Sequence, residues 1–199
     1  VCQNVAATQT LSEEAIALCA EHGYPVLHAY AAITHGWAVL KKGEQEAGLA
    51  EIRQGLADFW ATDSLLWQPY FQAVLAGVYA QTGQIEAGLN NVNEALVVAD
   101  KTRLVFWNSE LYRLRGNLLW QQGETSAAEA SYQQAIEMAR KQQARMLELR
   151  ATLDLCRLWQ RQGRRKKGHR MLADIYNWFS EGFDTPDLMQ ARSLLEPLV

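Results

Sequence analysis

The segment LWQQGETSAA (119–128) is one of four stretches of this 199-residue chain that align with each other without a gap. The other three are VLKKGEQEAG (39–48), YAQTGQIEAG (79–88) and WQRQGRRKKG (159–168). Each stretch has a glycine at its centre, and these glycines are spaced 40 residues apart: Gly43, Gly83, Gly123 and Gly163. A period of this length predicts a repeat protein in which neighbouring copies of one structural unit share a core.

Apolar residues on both sides of each central glycine recur with the spacing of a helix. In the third repeat they are Leu111, Leu114, Leu118, Ala128, Tyr132, Ala135 and Ile136. This spacing places them on one face of each of two helices. A glycine between the helices can adopt the left-handed conformation that ends the first one. The pattern therefore predicts an antiparallel helical hairpin for every repeat.

Small residues occupy two further positions of the period, seven residues before and five residues after the turn glycine. They are Gly36, Ala76, Gly116 and Cys156 before it, and Gly48, Gly88, Ala128 and Gly168 after it. A glycine inside a helix costs about 1 kcal/mol relative to alanine. We therefore expect the helical glycines where the two helices of a hairpin approach closely.

The whole pattern predicts an all-α protein with ten helices and no strand. The helices are expected near 10–22, 27–42, 45–60, 64–82, 85–101, 104–122, 125–142, 145–162, 165–179 and 187–196. Pro186 suits the first turn of the last helix, with Thr185 or Asp184 as its cap. We predict a single domain over 1–199, made of a partial N-terminal repeat, four full repeats and a C-terminal cap: 1–24, then 25–62, 63–102, 103–142 and 143–180, then 181–199.

Composition excludes several classes of protein. With 49% hydrophobic and 21% charged residues the chain is not intrinsically disordered, and a net charge of −3 excludes an overall polycation. There is no 18-residue apolar run and no basic-then-apolar leader after Val1, so we expect no membrane span and no signal peptide. Cys2, Cys19 and Cys156 are predicted to be buried thiols, and the protein to be cytoplasmic.

No catalytic residue, cofactor or metal site is predicted. The chain has no GxSxG nucleophile motif and no GxxxxGK[ST] phosphate loop. His28 and His35 share one side of a helix, but no third ligand follows them at helical spacing, so a metal site is disfavoured. The acidic pairs near 13–14, 44–46 and 51 are interpreted as solvated side chains.

Charge is distributed unevenly along the chain. Residues 1–100 carry a net charge of −8, whereas residues 101–199 carry +5. The basic excess is concentrated near RRKK (164–167), in the predicted turn of the last hairpin. A solvated turn is the favoured interpretation of this run over a nucleic-acid patch, because aromatic residues are not interleaved with the basic ones.

The repeat resembles the tetratricopeptide repeat (TPR). The third copy shows the pattern best, with Gly116, Leu119, Gly123, Ala128, Tyr132 and Ala135 at the expected offsets. The usual TPR has 34 residues, so the helices of this 40-residue variant are expected to be longer. The resemblance implies a right-handed superhelix of stacked antiparallel hairpins, closed by a short C-terminal capping helix.

The segment 110–163, with 176–188, resembles more specifically the C-terminal repeat region of large bacterial signalling proteins. In those proteins a class III adenylate/guanylate cyclase domain, or a winged or LuxR-type DNA-binding domain, precedes a P-loop ATPase domain and the repeats. The resemblance implies a non-catalytic interaction and sensor module that relays binding to an upstream ATPase or cyclase. The alternatives are a module of an ATPase-linked transcription regulator and, more remotely, an enzyme with its active site in the groove.

In TPR hairpins the first helix lines a concave groove, and the resemblance implies which side chains face it here. These candidate partner-binding residues are Tyr30, Trp37, Lys41, Tyr70, Arg113, Asn117, Trp120, Arg150, Arg157 and Arg161. Arg113 and Asn117 match two positions of the carboxylate clamp of chaperone-binding TPR domains, but Asp154 stands where the clamp needs asparagine. An equally weighted alternative is that the arginines only pair with neighbouring acids such as Glu110 and Asp154.

The expected partner is a protein or peptide segment with acidic character, or an upstream domain of the same chain. A homodimer is a further alternative, because the acidic half of one copy could meet the basic half of another. Nucleic acid and membrane are not expected as partners.

Overall fold

The computed structural model of the protein describes residues 4–62 and 67–196, which form helices joined by short turns. The ten α-helices are α1 (Val5–His22), α2 (Pro25–Lys41), α3 (Gln45–Trp60), α4 (Gln68–Thr82), α5 (Ile85–Thr102), α6 (Asn108–Gln122), α7 (Thr125–Lys141), α8 (Arg145–Arg161), α9 (Arg165–Tyr176) and α10 (Pro186–Leu195). A single 3₁₀ turn, Val105–Trp107, leads into α6. The described residues contain no strand, and the all-α prediction is confirmed.

The chain forms two compact units, Val1–Gln84 (unit 1) and Ile85–Val199 (unit 2). In unit 1, α2 packs against both α1 and α3, and α4 packs against α3. In unit 2, α6 packs against α5, α7 and α8, while α8 also contacts α7 and α9. The predicted single domain and the predicted repeat boundaries stay predictions.

The capping helix α10 covers the last hairpin. It packs against both α8 and α9, and its Leu188 and Ala191 are buried in a cluster with Leu149, Leu153 and Leu172. Thr185 is the N-cap residue and Pro186 opens the helix, as the sequence predicts. Burial of apolar area on both helices of the hairpin fixes α10 in place.

All four turn glycines have positive φ angles, between 72° at Gly83 and 104° at Gly43. The interpretation of these glycines as left-handed helix ends is therefore confirmed. The connections between α5 and α6 and between α7 and α8 also use this conformation, although a side chain is present: φ is 61° at Arg103 and 55° at Gln143. These two residues also lie 40 apart, so the connecting turns follow the same period as the glycine turns.

The helical glycines Gly36, Gly48 and Gly116 lie where helices approach closely, as expected from the sequence. A Cβ atom at Gly48 would lie 2.6 Å from both the Gly36 carbonyl oxygen and the Leu40 nitrogen. At Gly116 it would lie 2.5 Å from the ring of Tyr132, which is fully buried. The small residues therefore set the distance between α2 and α3 and between α6 and α7.

Several helix ends differ from the predicted ones, among them the start of α6, which begins at Asn108 and not near 104 because the 3₁₀ turn Val105–Trp107 precedes it. Helix α1 begins five residues early because the Asn4 side chain caps it, accepting a hydrogen bond from the Ala7 amide at 3.1 Å. Helix α2 begins at Pro25, since proline is tolerated in a first turn. Helix α9 ends at Tyr176 instead of 179, where tighter i to i−3 bonds replace the helical ones and Phe179 packs into the core under α10.

The structure also bears on the predictions for the cysteines and for a membrane span. Cys19 and Cys156 are buried free thiols, as predicted, and burial raises the pKa of the Cys156 thiol to about 12. Cys2 and residues 64–66 at the predicted start of α4 lie outside the described residues. None of the helices in the described part of the chain is long and apolar enough to cross a membrane.

The contact between α2 and α3 predicts the effect of the substitution Gly48→Ala. The new methyl group meets main-chain atoms, which cannot rotate away, so the helices must separate. We expect a loss of about 1–3 kcal/mol in the free energy of unfolding, despite alanine's better helix propensity. Urea denaturation of the variant and the wild type measures this loss in the free energy of unfolding. The exposed substitution Lys166→Ala should stay within about 0.5 kcal/mol of the wild type, and the opposite ranking would contradict the packing described above.

Candidate functional site

The predicted groove residues of unit 1 form an aromatic cluster on α2 and at the start of α4. The rings of Tyr30 and Tyr70 lie 5.2 and 5.3 Å from the ring of Phe71, and Phe71 packs edge-on against buried Phe59 at 4.8 Å. Trp67 lies edge-on to Tyr70 at 6.1 Å. Tyr30 and Trp67 remain 39% and 41% exposed, so the cluster has a buried base and an accessible face.

Burial, and then the neighbouring Tyr30, raise the pKa of Tyr70 to about 12. The Tyr70 phenol is therefore neutral at physiological pH. The structure thus brings Tyr30 and Tyr70 together on Phe71, with Trp67 as an exposed member that sequence analysis missed, and their role in binding a partner stays a prediction. Trp67 was missed because it lies three residues before Tyr70, ahead of the groove positions that the resemblance supplies for this repeat.

The other two predicted residues of unit 1 lie farther along α2. The Lys41 ammonium lies 5.7 Å from the centre of the Trp37 ring, within the range of a cation–π contact. The same ammonium donates a 2.6 Å hydrogen bond to Gln81, 40 residues later in the equivalent position of the next repeat. Lys41 therefore links α2 to α4 through this hydrogen bond.

In unit 2, the predicted residue Arg113 is bound by two carboxylates. Its Nε and Nη2 atoms donate to both oxygens of Glu110 at 2.9 and 2.7 Å, and its Nη1 donates to Asp154. The three side chains are only 11–17% exposed. Burial alone would raise the pKa of Glu110, but the charge and hydrogen bonds of Arg113 outweigh it and hold that pKa below its ordinary value.

Asp154 is the centre of this network. Its second oxygen accepts a 2.9 Å hydrogen bond from Arg157. In the amide orientation that satisfies both its oxygen and its nitrogen, Asn117 donates to the Tyr132 hydroxyl at 2.7 Å and to Asp154 at 3.3 Å and accepts from Arg113 at 3.1 Å. Burial raises the pKa of Tyr132 above its ordinary value, so this phenol is neutral.

The remaining predicted arginines meet the capping helix and a tryptophan. Arg150 donates from Nε and Nη2 to one oxygen of Asp187 on α10, at 2.9 and 2.7 Å. Arg157 also donates to Gln190 of α10 at 2.8 Å. The guanidinium of Arg161 lies 5.0 Å from the centre of the Trp120 ring.

Arg113, Arg150 and Arg157 form the arginine stripe of unit 2, and each is paired with a carboxylate of the chain, whereas Arg161 lies over the Trp120 ring. Arg113 and Arg157 pair with acids that the sequence alternative named, whereas the partner of Arg150 was not foreseen. Asp187 is 37 residues from Arg150 in the chain, and only the packing of α10 brings them together. Whether any of these arginines binds a partner stays a prediction.

No cluster of three or more His, Cys, Asp or Glu side chains that could hold a metal ion occurs in the described residues. His35 does lie between two carboxylates, with Nδ1 2.7 Å from Glu51 and Nε2 3.4 Å from Glu13. These contacts join α1, α2 and α3. Glu13 and Glu51 therefore link α1 and α3 to α2 through His35.

Three solved structures share the architecture. The crystal structure of BtubC (BKLC) from P. vanneervenii has a TM-score of 0.76 at 16% identity, covering 97% of this chain and 82% of that one. The apo form of RapI has a TM-score of 0.68 at 14% identity, covering 96% and 56%. The TPR-like repeats of a putative kinesin light chain from Podosopora anserina have a TM-score of 0.62 at 16% identity, covering 86% and 84%.

Residues 71–141 match the tetratricopeptide repeat family. The fold is TPR-like. TPR-like folds generally bind proteins or peptides, which supports an interaction module. An uncharacterized protein of Rhizobium meliloti (strain 1021) is 28% identical over 131 residues, or 65% of this chain. The chain spans only 13% of the length of that curated relative.

The network around Arg113 predicts a pH-dependent effect of Glu110→Gln. Because the folded pKa of Glu110 is lowered, its contribution to stability is present above its unfolded pKa of about 4.3 and is lost as pH falls through the folded value. At pH 7 we expect the variant to be less stable by about 1–3 kcal/mol. This difference should shrink as the pH is lowered toward 3.

Urea denaturation of both proteins between pH 7 and pH 3 measures this dependence. The control is Glu94→Gln, an exposed residue of α5, which should change stability by less than about 0.5 kcal/mol at pH 7. A difference between wild type and the Glu110 variant that stays constant across this pH range would show that the ion pair does not stabilise the fold.

Proposed function

We propose that this chain is a non-catalytic interaction and sensor module of a bacterial signalling protein, which binds a peptide or partner domain through its aromatic face. The aromatic face comprises Tyr30, Trp37, Trp67 and Tyr70. The single observation that carries the proposal is the accessible tyrosine and tryptophan surface supported by buried Phe71.

Tyrosine and tryptophan are the residue types most enriched at the energetic centres of protein interfaces, together with arginine. They offer a large apolar area and a polar tip, so they tolerate water when free and gain by burial when bound. Here the rings of Tyr30 and Tyr70 are held from behind by Phe71, so little side-chain freedom remains to be lost on binding. Lys41 beside Trp37 adds a cation at the edge of the same surface.

The proposed parent protein carries an ATPase or nucleotide cyclase domain upstream, to which the module relays the binding event. Two observations support this context. The segment 110–163 resembles the repeat region of such signalling proteins, and the curated relative is far longer than this chain. In this proposal the repeats supply recognition and the upstream domain supplies the chemistry.

Photo-crosslinking tests the aromatic face. The photoreactive residue p-benzoylphenylalanine replaces Tyr30 in the full-length parent protein, and living cells are irradiated. We expect a discrete cross-linked adduct from position 30, and none from the same residue placed at Glu94, an exposed position of α5. Once the partner is identified, Tyr30→Ala should weaken its binding by about 1–3 kcal/mol. Absence of an adduct from positions 30, 67 and 70 would contradict the proposal.

A second prediction concerns catalysis. The purified chain should neither hydrolyse ATP nor form cyclic nucleotides, because its 199 residues contain no phosphate-binding GxxxxGK[ST] loop. A phosphate-release assay and a cyclic-nucleotide assay measure this. Turnover that co-elutes with the protein through successive columns would overturn the non-catalytic assignment.

A further inference from the structure

The segment RLWQRQGRRKKGHR (157–170) contains seven arginines and lysines and no acidic residue. Its second half forms one side of an open cleft of about 1040 Å³ within unit 2. The cleft is lined by Arg164, Arg165, Lys166, Lys167, His169 and Arg170, with Leu195 of α10 on the other side. We call this feature the basic cleft; from the sequence alone, a solvated turn is the favoured interpretation of its RRKK run (164–167).

Two of its cations are fixed in place by the core. Arg164 donates to both oxygens of Glu129, at 2.7 and 3.0 Å, and its guanidinium lies 5.0 Å from the centre of the Trp159 ring. The Lys167 ammonium lies 4.3 Å from the same ring, which is itself only 1% exposed. Trp159 therefore acts as a rigid support for positive charge at the base of the cleft.

The other cations have no carboxylate partner among the described residues. Lys166 and Arg170 are exposed and form no ion pair there. Arg165 contacts only the Glu196 carbonyl oxygen, at 3.4 Å, and the His169 ring lies 3.0 Å from the Leu195 carbonyl oxygen. Among the described residues, the five arginines and lysines of the cleft thus have one carboxylate partner, Glu129, whereas Arg113, Arg150 and Arg157 are each paired with an acid.

From this contrast we infer that the basic cleft binds an acidic segment of a partner protein, whose carboxylates pair with Arg165, Lys166 and Arg170. The inference rests on the proposed function as an interaction module, and it adds the place and the chemistry of recognition. Complementary charge of this kind accelerates association and selects among partners. It also moves the acid-binding site from the predicted arginine stripe to the first half of α9, which contains residues 165–167 that the sequence places in the turn of the last hairpin.

An acidic protein segment fits the cleft better than a nucleic acid does. Binding of single strands uses exposed aromatic rings on which bases stack. The ring at this cleft, Trp159, is buried and already covered by Arg164 and Lys167. The polar contacts that the cleft makes within the chain are to a carboxylate, to peptide carbonyl groups and to the side-chain amide oxygen of Gln162. The first two are the groups that an acidic peptide offers.

The test uses the full chain and a fluorescein-labelled peptide of twelve glutamates, with binding followed by fluorescence anisotropy at 50 and 200 mM salt. The double substitution Lys166→Gln with Arg170→Gln should raise the Kd about fivefold to tenfold at low salt, as two surface ion pairs are lost. The matched control is Lys42→Gln with Lys101→Gln, which removes the same charge from exposed positions elsewhere and should change the Kd less than twofold. Binding should weaken at the higher salt concentration.

Three outcomes would overturn the inference. Equal weakening by both double variants would show attraction to the whole protein and not to the cleft. Tighter binding of a labelled dodecathymidylate, lost in the Lys166 and Arg170 variant, would assign the cleft to nucleic acid. If the Tyr30→Ala variant fails to bind the glutamate peptide while the Lys166 and Arg170 variant still binds it, acid binding would belong to the aromatic face. The last result leaves the proposed function intact, whereas absence of any photo-crosslink at the aromatic face would count against that function even if the cleft binds the peptide.

Discussion

The two helices of a hairpin can pack closely only where neither carries a side chain that holds them apart. In the α2–α3 hairpin, Gly36 and Gly48 place main-chain atoms of both helices in direct contact. In the α8–α9 hairpin the equivalent positions are Cys156 and Gly168, and the thiol donates a 3.1 Å hydrogen bond to the Gly168 carbonyl oxygen. The same distance constraint thus recurs in hairpins of both units with different chemistry, and it explains why small residues follow the 40-residue period.

The close approach also positions polar groups. In the α6–α7 hairpin the ring of Tyr132 lies against Gly116, in the space that any side chain would occupy. This places the Tyr132 hydroxyl beside Asn117, which in turn contacts Asp154 and Arg113. A substitution at Gly116 would therefore disturb the ion network as well as the core, because the ring that anchors the network would have to move.

Helical periodicity and turn chemistry were sufficient to predict the all-α architecture, the hairpin turns and most helix ends. The predicted helices also leave breaks at the other two turns, 102–103 and 143–144, but the left-handed conformation of Arg103 and Gln143 was not predicted, since only a glycine at those positions would have signalled it. At the candidate site, the sequence identified residues on one helical stripe and named Glu110 and Asp154 as acids that could pair with its arginines, but it did not reveal Asp187. The pair Arg150–Asp187 depends on how α10 packs onto α8, and this tertiary contact leaves no periodic trace in the sequence.

Ion pairing within the chain distinguishes the arginines that the resemblance assigns to the groove from the basic run at 164–167. To bind a partner, Arg113 would have to leave Glu110 and Asp154, and separating a buried ion pair costs about 3–5 kcal/mol because the remaining carboxylates lose their compensation. A partner carboxylate would have to offset that loss before gaining anything. Lys166 and Arg170 are exposed and break no ion pair of the described residues when they bind, so even the modest energy of a surface pair is a net gain. The position of a cation relative to the core, more than the local density of positive charge, decides which basic residues can serve recognition.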